Sequence, residues 1–376
     1  MHVLVDATAI PANLAGVGRY VDDLLPALAD EGVRLSVVAR ADHAAHFAAT
    51  VPGARVLDVG TSIDRRAARM AWEQIRLPAI ARASGCDVQP PPHYTMPVSH
   101  PLPTAVTLHD ATFFTMPEVH EPAKRHFFRA ATRYAVRHAE ALVVPSVATR
   151  NEVLAHAGGE ADRFVVAYHG VDTRRFHRVG QSEARRVAES LDVPAGGYIA
   201  FLGTLEPRKN VPALVRGWIQ AFGDSPDAPP LVLAGMKGWD ETIEAIVASA
   251  PGHMRVVAPG YLPLEDLPGF LSGAMVLAYP SLGEGFGLPV LEAMACGACA
   301  LTTPVLSLPE VGGDAVAYCG TSPGQIAQAL RNLAADPERR GELGAAAAER
   351  ASRFTWRRSA AAHVQAFEDA LRRRRG

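Results

Sequence analysis

The chain has 376 residues, 48% of them hydrophobic and 20% charged, a length better suited to two domains than to one core. With 37 basic against 39 acidic side chains it has no general attraction for nucleic acid, and no apolar run is long enough for a membrane span. Its cysteines, Cys86, Cys296, Cys299 and Cys319, are too scattered for a disulfide framework; Cys296 and Cys299 read as small buried residues at a helix end rather than half of a zinc site.

From Met1 to Ile10 there is neither a basic leader nor a long apolar run, so the expected location is the cytoplasm. His2 to Asp6 reads as a first strand. A loop ending Ala15-Gly16-Val17-Gly18-Arg19 follows, then a helix with Tyr20, Leu24, Leu25 and Leu28 on one face. Further strands are predicted at Leu35 to Ala39, Arg55 to Val59, Ala105 to Leu108, Ala141 to Val144 and Phe164 to Ala167. From His169 to Gly197 the pattern loosens, which suggests a linker. A second series follows at Tyr198 to Leu202, Leu231 to Ala234, Arg255 to Val257, Met275 to Tyr279, Cys299 to Thr302 and Ala315 to Tyr318. Strands alternating with helices predict an α/β protein with parallel sheets in two similar halves. The tail from Pro323 reads as successive helices ending in four arginines, a run that suits the negative end of a helix dipole or an anionic membrane.

The segment Glu284-Gly285-Phe286-Gly287-Leu288-Pro289-Val290-Leu291-Glu292 joins a strand to a helix, with Pro289 in the first helical turn. Free N–H groups and a positive dipole end there suit phosphate oxygens. Two carboxylates beside a phosphate repel it, so Glu284 and Glu292 are better placed to accept hydrogen bonds from the hydroxyls of a sugar and a ribose. Taken alone, the segment fits a capped turn and a solvated helix face equally well. Directly after the second half's first strand come Gly203-Thr204-Leu205-Glu206-Pro207-Arg208-Lys209-Asn210, where Arg208 and Lys209 stand on the edge at which open α/β sheets bind ligands. They could neutralise a departing diphosphate. In the first half, His109 ends an apolar strand, ordinarily the place of a hydrogen-bonded interior histidine. Gly16 and Gly18 allow close backbone approach, but Val21 stands where a dinucleotide fingerprint needs its last small residue. No Asp-x-Asp triplet occurs, so neither a metal site nor any other cofactor is expected.

Glu284 and Glu292 within Glu-Gly-Phe-Gly-Leu-Pro-Val-Leu-Glu-Ala-Met-Ala-Cys-Gly closely resemble the signature of family 4 retaining glycosyltransferases of the GT-B fold. The likeness continues in Ala15 to Tyr20, Pro92-His93-Tyr94-Thr95-Met96-Pro97, Leu108-His109-Asp110, Val144-Pro145-Ser146, His169-Gly170-Val171-Asp172 and Thr204 to Asn210, in the family's order. It implies two Rossmann-like, doubly wound domains facing each other across a cleft: an acceptor domain at 1–175, a linker at 176–197, a nucleotide-sugar domain at 198–354, and a helix at 355–376 crossing back to the first domain.

The resemblance also implies roles. His109, Glu284, Arg208 and Lys209 would be catalytic. Glu284 would hold donor-sugar hydroxyls and Glu292 the ribose. Arg208 and Lys209 would cradle the diphosphate, with Gly16, Gly18, Thr204, Gly285, Phe286, Gly287 and Leu288 completing the donor site and His93, Tyr94 and Asp110 on the acceptor side. Many relatives carry arginine where this chain has Thr204, which leaves more of the charge to Arg208 and Lys209. The implied chemistry is metal-free transfer of a hexose, mannose from GDP-mannose as first choice over a UDP-linked sugar, with retention, to a glycan or lipid-linked acceptor in cell-envelope or exopolysaccharide synthesis. A GT-B phosphorylase or epimerase, or a non-catalytic nucleotide-sugar binder, is the alternative. Arg65, Arg66, Arg69, Arg76 and Arg82 on one predicted helix with Trp72 and Ile75, and the basic stretch Lys124 to Arg137, suit either an anionic membrane or an ordinary solvated face.

Overall fold

The computed structural model describes residues 1–10, 16–60, 63 and 65–375, with backbone only at Arg66; Ala15 of the first loop lies outside them. Two compact units result, unit 1 being Met1–Gly170 with Thr355–Gly376 and unit 2 being Val171–Phe354.

Unit 1 contains β1 (His2–Asp6), β2 (Arg34–Ala39), β3 (Arg55–Asp58), β4 (Ala105–Thr107), β5 (Ala141–Val144) and β6 (Phe164–Val166), all in parallel pairs. They form two three-stranded sheets, β1-β2-β3 and β4-β5-β6. The bridges Val3 to Val88 and Gln89 to Thr104 join them. Just beyond Gln89 stand Pro90, Pro91 and Pro92, and Pro103 precedes Thr104; prolines have no N–H to extend a ladder. The helix Val17–Asp30, through Tyr20, Leu24, Leu25 and Leu28, shares a core with β1 and β2 and packs against the last helix, Trp356–Arg375, which lies on β4, β5 and β6 and brings Ala360 and Phe367 into that core. The tail arginines do not all stand free: Arg373 pairs with Asp162 at 2.7 Å, Arg374 with Glu140 at 2.7 Å, and Arg372 with Asp369. The single helix expected across Arg65 to Arg82 is two, Arg66–Ile75 and Leu77–Ser84, because Pro78 cannot donate to a preceding turn.

Unit 2 carries one six-stranded parallel sheet of β7 (Ile199–Leu202), β8 (Leu231–Ala234), β9 (Val256–Gly260), β10 (Val276–Tyr279), β11 (Ala300–Thr302) and β12 (Ala317–Tyr318), in the order β12-β11-β10-β7-β8-β9. The central strands β7, β8 and β10 are buried on both faces and read as unbroken apolar runs, whereas the edge strands β9 and β12 are partly exposed. Residues 176–197 are not a free linker. Phe176, Val187, Ala188, Leu191 and Val193 are buried in this unit's core, and a Cβ on Gly269 would lie 2.6 Å from Val187. The polar face of the helix Gln181–Ser190 hides that packing in the sequence. Among the described residues no helix is long and apolar enough to cross a membrane.

Candidate functional site

β7 and β10 are neighbours, and the chain departs from them in opposite directions, to β8 and β9 on one side and to β11 and β12 on the other. Their carboxyl ends therefore flank the switch point of the sheet, where loops diverge and leave a crevice. The loop after β7 carries Thr204, Arg208 and Lys209; the loop after β10 carries Glu284 to Gly287.

Glycine makes the first approach possible. Gly203 and Gly235 have φ of +148° and +141°, and a Cβ on Gly235 would fall 2.0 Å from the Gly203 carbonyl oxygen. Pro207 then opens a short turn over Pro207–Lys209, and Asn210, at φ 58°, ends it and begins the helix Val211–Phe222. Two bonds tie this turn to the other loop: the Leu282 N–H donates to the Arg208 carbonyl at 2.9 Å, and Asn210 Nδ2 donates to the Pro280 carbonyl at 3.2 Å. The second loop turns at Gly287, φ 105°, into the helix Leu288–Ala295. Ser307 Oγ lies 2.8 Å from the Glu284 carbonyl and 2.9 Å from that of Phe286, and Thr303 Oγ1 donates to the Ser281 carbonyl at 2.6 Å.

At the centre is a buried charge cluster. Glu284 Oε1 accepts from Lys209 Nζ at 2.6 Å, Ser281 Oγ at 2.7 Å and the Tyr279 hydroxyl at 2.9 Å. Its Oε2 accepts from Arg208 Nη1 at 2.6 Å; Arg208 also donates to the Gly283 carbonyl and, through Nη2, to Glu206 Oε1 at 2.7 Å. Lys209 Nζ also donates to the Tyr279 hydroxyl. Burial would push the Glu284 carboxyl up, but Arg208 and Lys209 outweigh it and hold the pKa at about 2. Burial together with the Arg208 charge lowers the Lys209 pKa, against the pull of Glu284 and Glu206.

Of the expected site residues, Arg208, Lys209 and Glu284 are brought together in unit 2. Glu284 does not project from its loop; it is buried and bonded to the two cations meant for a diphosphate. Three donors saturate Oε1, so only Oε2 has capacity left for a hydroxyl. Glu292 lies on the Leu288–Ala295 helix, 1% exposed. Sequence reading missed Tyr279, Ser281, Glu206 and Ser307, which complete the cluster or clamp its loop. A tyrosine ending a strand and a serine beyond the next one carry no local signal; only the fold brings them to Glu284. Cys296 and Cys299 are free and buried, and burial pushes the Cys299 thiol up to about 11.

Unit 1 gathers the remaining candidates. His109 is half-buried and donates from Nε2 to the Pro92 carbonyl at 2.7 Å, which leaves Nδ1 as its acceptor when neutral. Burial lowers its pKa. Its ring centre lies 5.0 Å from that of Tyr20 and 5.8 Å from that of His93. Tyr94, buried at φ 50°, accepts a bond from the Asp110 N–H at 2.9 Å, and Asp110 Oδ1 takes Thr112 Oγ1 at 2.8 Å, so Asp110 shapes its own turn. Gly16, exposed at φ 55°, starts the helix in which Gly18 is buried. Two histidines outside the first expectation join this group. His169 lies 4.9 Å from the Tyr20 ring, and His363 Nδ1 donates to the Ser359 carbonyl, so its Nε2 accepts from the Tyr20 hydroxyl at 2.7 Å.

Residues 189–350 match the family described as Glycosyl transferases group 1, and residues 14–175 match Glycosyltransferase Family 4. The chain is 34% identical over 230 residues to O-antigen chain mannosyltransferase B of Escherichia coli, a match covering 60% of this chain and 58% of that protein. It is 29% identical over 272 residues to a D-inositol 3-phosphate glycosyltransferase of Corynebacterium kroppenstedtii, covering 67% of this chain and 58% of that one. Among solved structures it is similar to Anabaena HepE in complex with UDP and glucose, TM-score 0.78 at 18% identity over 97% of this chain and 98% of that one. Sucrose-phosphate synthase of Thermosynechococcus elongatus gives 0.79 at 19% identity, covering 98% of each chain. At such identities the likeness is one of fold.

Proposed function

Because the chain belongs to the group 1, family 4 glycosyltransferases of the GT-B fold, we propose that it moves a hexose from a nucleotide-diphosphate sugar to a hydroxyl of an acceptor. The observation that carries the reading is the pairing of Arg208 and Lys209 with Glu284 at the switch point between β7 and β10. Breaking the bond from the anomeric carbon to the donor phosphate leaves a nucleoside diphosphate with growing negative charge. Two preorganised cations held in a largely dehydrated site stabilise that charge without rearranging. The acceptor oxygen forms the new bond, and its proton passes to the departing diphosphate. No protein nucleophile is required, which accords with retention of configuration.

Glu284 sets the positions of both cations and offers Oε2 to a donor-sugar hydroxyl; Glu292 takes the ribose, Thr204 and the Gly285 to Leu288 turn line the phosphates, and His109 serves the donor sugar from unit 1. The donor is a GDP- or UDP-linked sugar, GDP-mannose first in view of the mannosyltransferase relative. The two relatives are named for different acceptors, a sugar chain and an inositol phosphate. For this chain a glycan or lipid-linked acceptor in envelope or exopolysaccharide synthesis is the reading.

A panel of nucleotide sugars assayed for release of free nucleoside diphosphate tests the proposal, with GDP-mannose expected to be among the active donors. Lys209→Met should lower turnover about 10²- to 10³-fold, the cost of one lost charge-stabilising donor. Absence of turnover with every donor would overturn the enzymatic reading, and binding without turnover would favour a sugar-nucleotide binder. Chelator is expected to leave the rate unchanged, since the chain lacks an Asp-x-Asp triplet; activity lost to chelator and restored by a divalent ion would refute metal independence.

A further inference from the structure

A five-residue helix, Leu308–Gly312, lies against the 284–287 turn. Ser307, which precedes it, is the residue whose Oγ reaches the Glu284 and Phe286 carbonyls, and a Cβ on Gly287 would fall 2.8 Å from Leu308 Cδ2. A helix this short pairs few of its own carbonyls, and the last of them need partners from elsewhere. Arg350 supplies them. Its Nε donates to the Val311 carbonyl at 2.6 Å and its Nη2 to the Glu310 carbonyl at 2.7 Å, a two-pronged contact that a planar guanidinium fits and an ammonium cannot copy. The chain then turns at Gly313, φ +51°, where a Cβ would lie 2.5 Å from Arg350 Cζ.

A second route leads from the same guanidinium to the same turn. Arg350 Cζ lies 5.9 Å from the centre of the Phe354 ring, and that ring meets Phe286 edge-on with centres 6.0 Å apart. One route thus ends on the Phe286 carbonyl, through Ser307, and the other on the Phe286 ring. The base from which Arg350 projects is itself fixed. Its helix, Pro337–Ala351, packs on the helix Leu288–Ala295 into which the turn leads, and a Cβ on Gly344 would fall 2.4 Å from the Gly297 carbonyl oxygen. All of these residues belong to unit 2.

We propose that Arg350 is a positioning residue for the donor turn: by fixing Ser307 and Phe286 it sets where the Glu284 carboxylate and the backbone of residues 285–288 stand when a nucleotide sugar binds. The inference rests on the transferase reading above for calling the turn a donor site. A turn released from its clamp must be ordered again by the ligand, so the loss is read as weaker nucleotide binding.

The test measures GDP and UDP affinity by calorimetry on the whole chain, and the donor KM wherever a donor turns over. Arg350→Met should weaken the nucleotide that the unaltered chain binds about tenfold and raise the donor KM to match, with kcat changed less than about threefold. Arg350→Lys keeps the charge but loses the fork, and should be impaired to within about threefold of Arg350→Met. Arg331→Met, which removes an arginine donor from the Gln220 carbonyl elsewhere in unit 2, should leave nucleotide affinity unchanged. Unaltered affinity in Arg350→Met beside a lowered thermal midpoint would make Arg350 a stability residue only and overturn the proposal. Full recovery in Arg350→Lys, the mark of charge alone, or an equal loss in Arg331→Met would overturn it too. If Arg350→Met fails to fold, Arg350→Lys against the unaltered chain decides it: weaker binding supports the proposal and equal binding overturns it. Binding of neither nucleotide to the unaltered chain would overturn this inference and the transferase reading together, whereas the expected affinities without turnover of any donor would sink the transferase reading alone.

Discussion

Glu284 is a buried structural ion. Removing its carboxylate leaves Arg208 with Glu206 alone and takes from buried Lys209 its carboxylate partner, and breaking a buried pair of this kind costs about 3–5 kcal/mol. Glu284→Ala is therefore expected to lower the thermal midpoint by many degrees, and added nucleoside diphosphate should recover part of the loss by supplying the missing negative charge. Thermal unfolding with and without the nucleotide checks this; an unchanged midpoint would show that the cluster contributes nothing to folding. The residue types at this site were legible in the sequence, because Glu284, Arg208 and Lys209 belong to compact motifs. Their mutual engagement was not, because residues 208 and 284 meet only through two loops from adjacent strands.

At the scale of elements, the site depends on how closely those loops approach and how firmly they are held. Gly235→Ala would drive a Cβ to within 2.0 Å of the Gly203 carbonyl oxygen at a φ of +141°. It should destabilise unit 2 and weaken donor binding together, whereas Gly252→Ala, which meets open space, should change stability by less than about 0.5 kcal/mol. Ser307→Ala leaves the Glu284 and Phe286 carbonyls without their clamp, at a cost of about 1–3 kcal/mol. Denaturant titration paired with the KM for donor separates the two: a loop that loosens should raise KM more than it lowers the unfolding midpoint. The strands themselves were readable as buried apolar runs. The helix Gln181–Ser190 was not, since seven polar or charged residues around three buried ones look like a linker until the core that receives Val187 is seen.

Across the whole molecule, acid sensitivity should reside in unit 1. Burial keeps His169 and His363 neutral, the latter with its pKa pushed down from 6.5 to about 4. Below pH 6.5 the unfolded chain binds protons that the folded chain refuses, so this contribution is complete above pH 6.5 and is lost as pH falls towards about 4 for His363. Each such histidine costs about 1.4 kcal/mol per pH unit in that window. Urea unfolding between pH 7 and pH 5 should show the fall, and His363→Gln should make the slope shallower; an identical slope in the variant would exclude His363 as a source.

By itself the sequence determined the α/β class, the strands within a few residues and the motif residues of unit 2, because strand burial, glycine-bracketed turns and short charged motifs are local patterns. Tertiary structure alone decided what those residues do to one another. It placed residues 176–197 in a core, split the first unit's strands at a run of prolines, and docked the last arginines on Asp162 and Glu140. It also enclosed Glu284 between its two cations. Each of these outcomes depends on packing between segments far apart in the chain, and long-range packing leaves no periodicity to read.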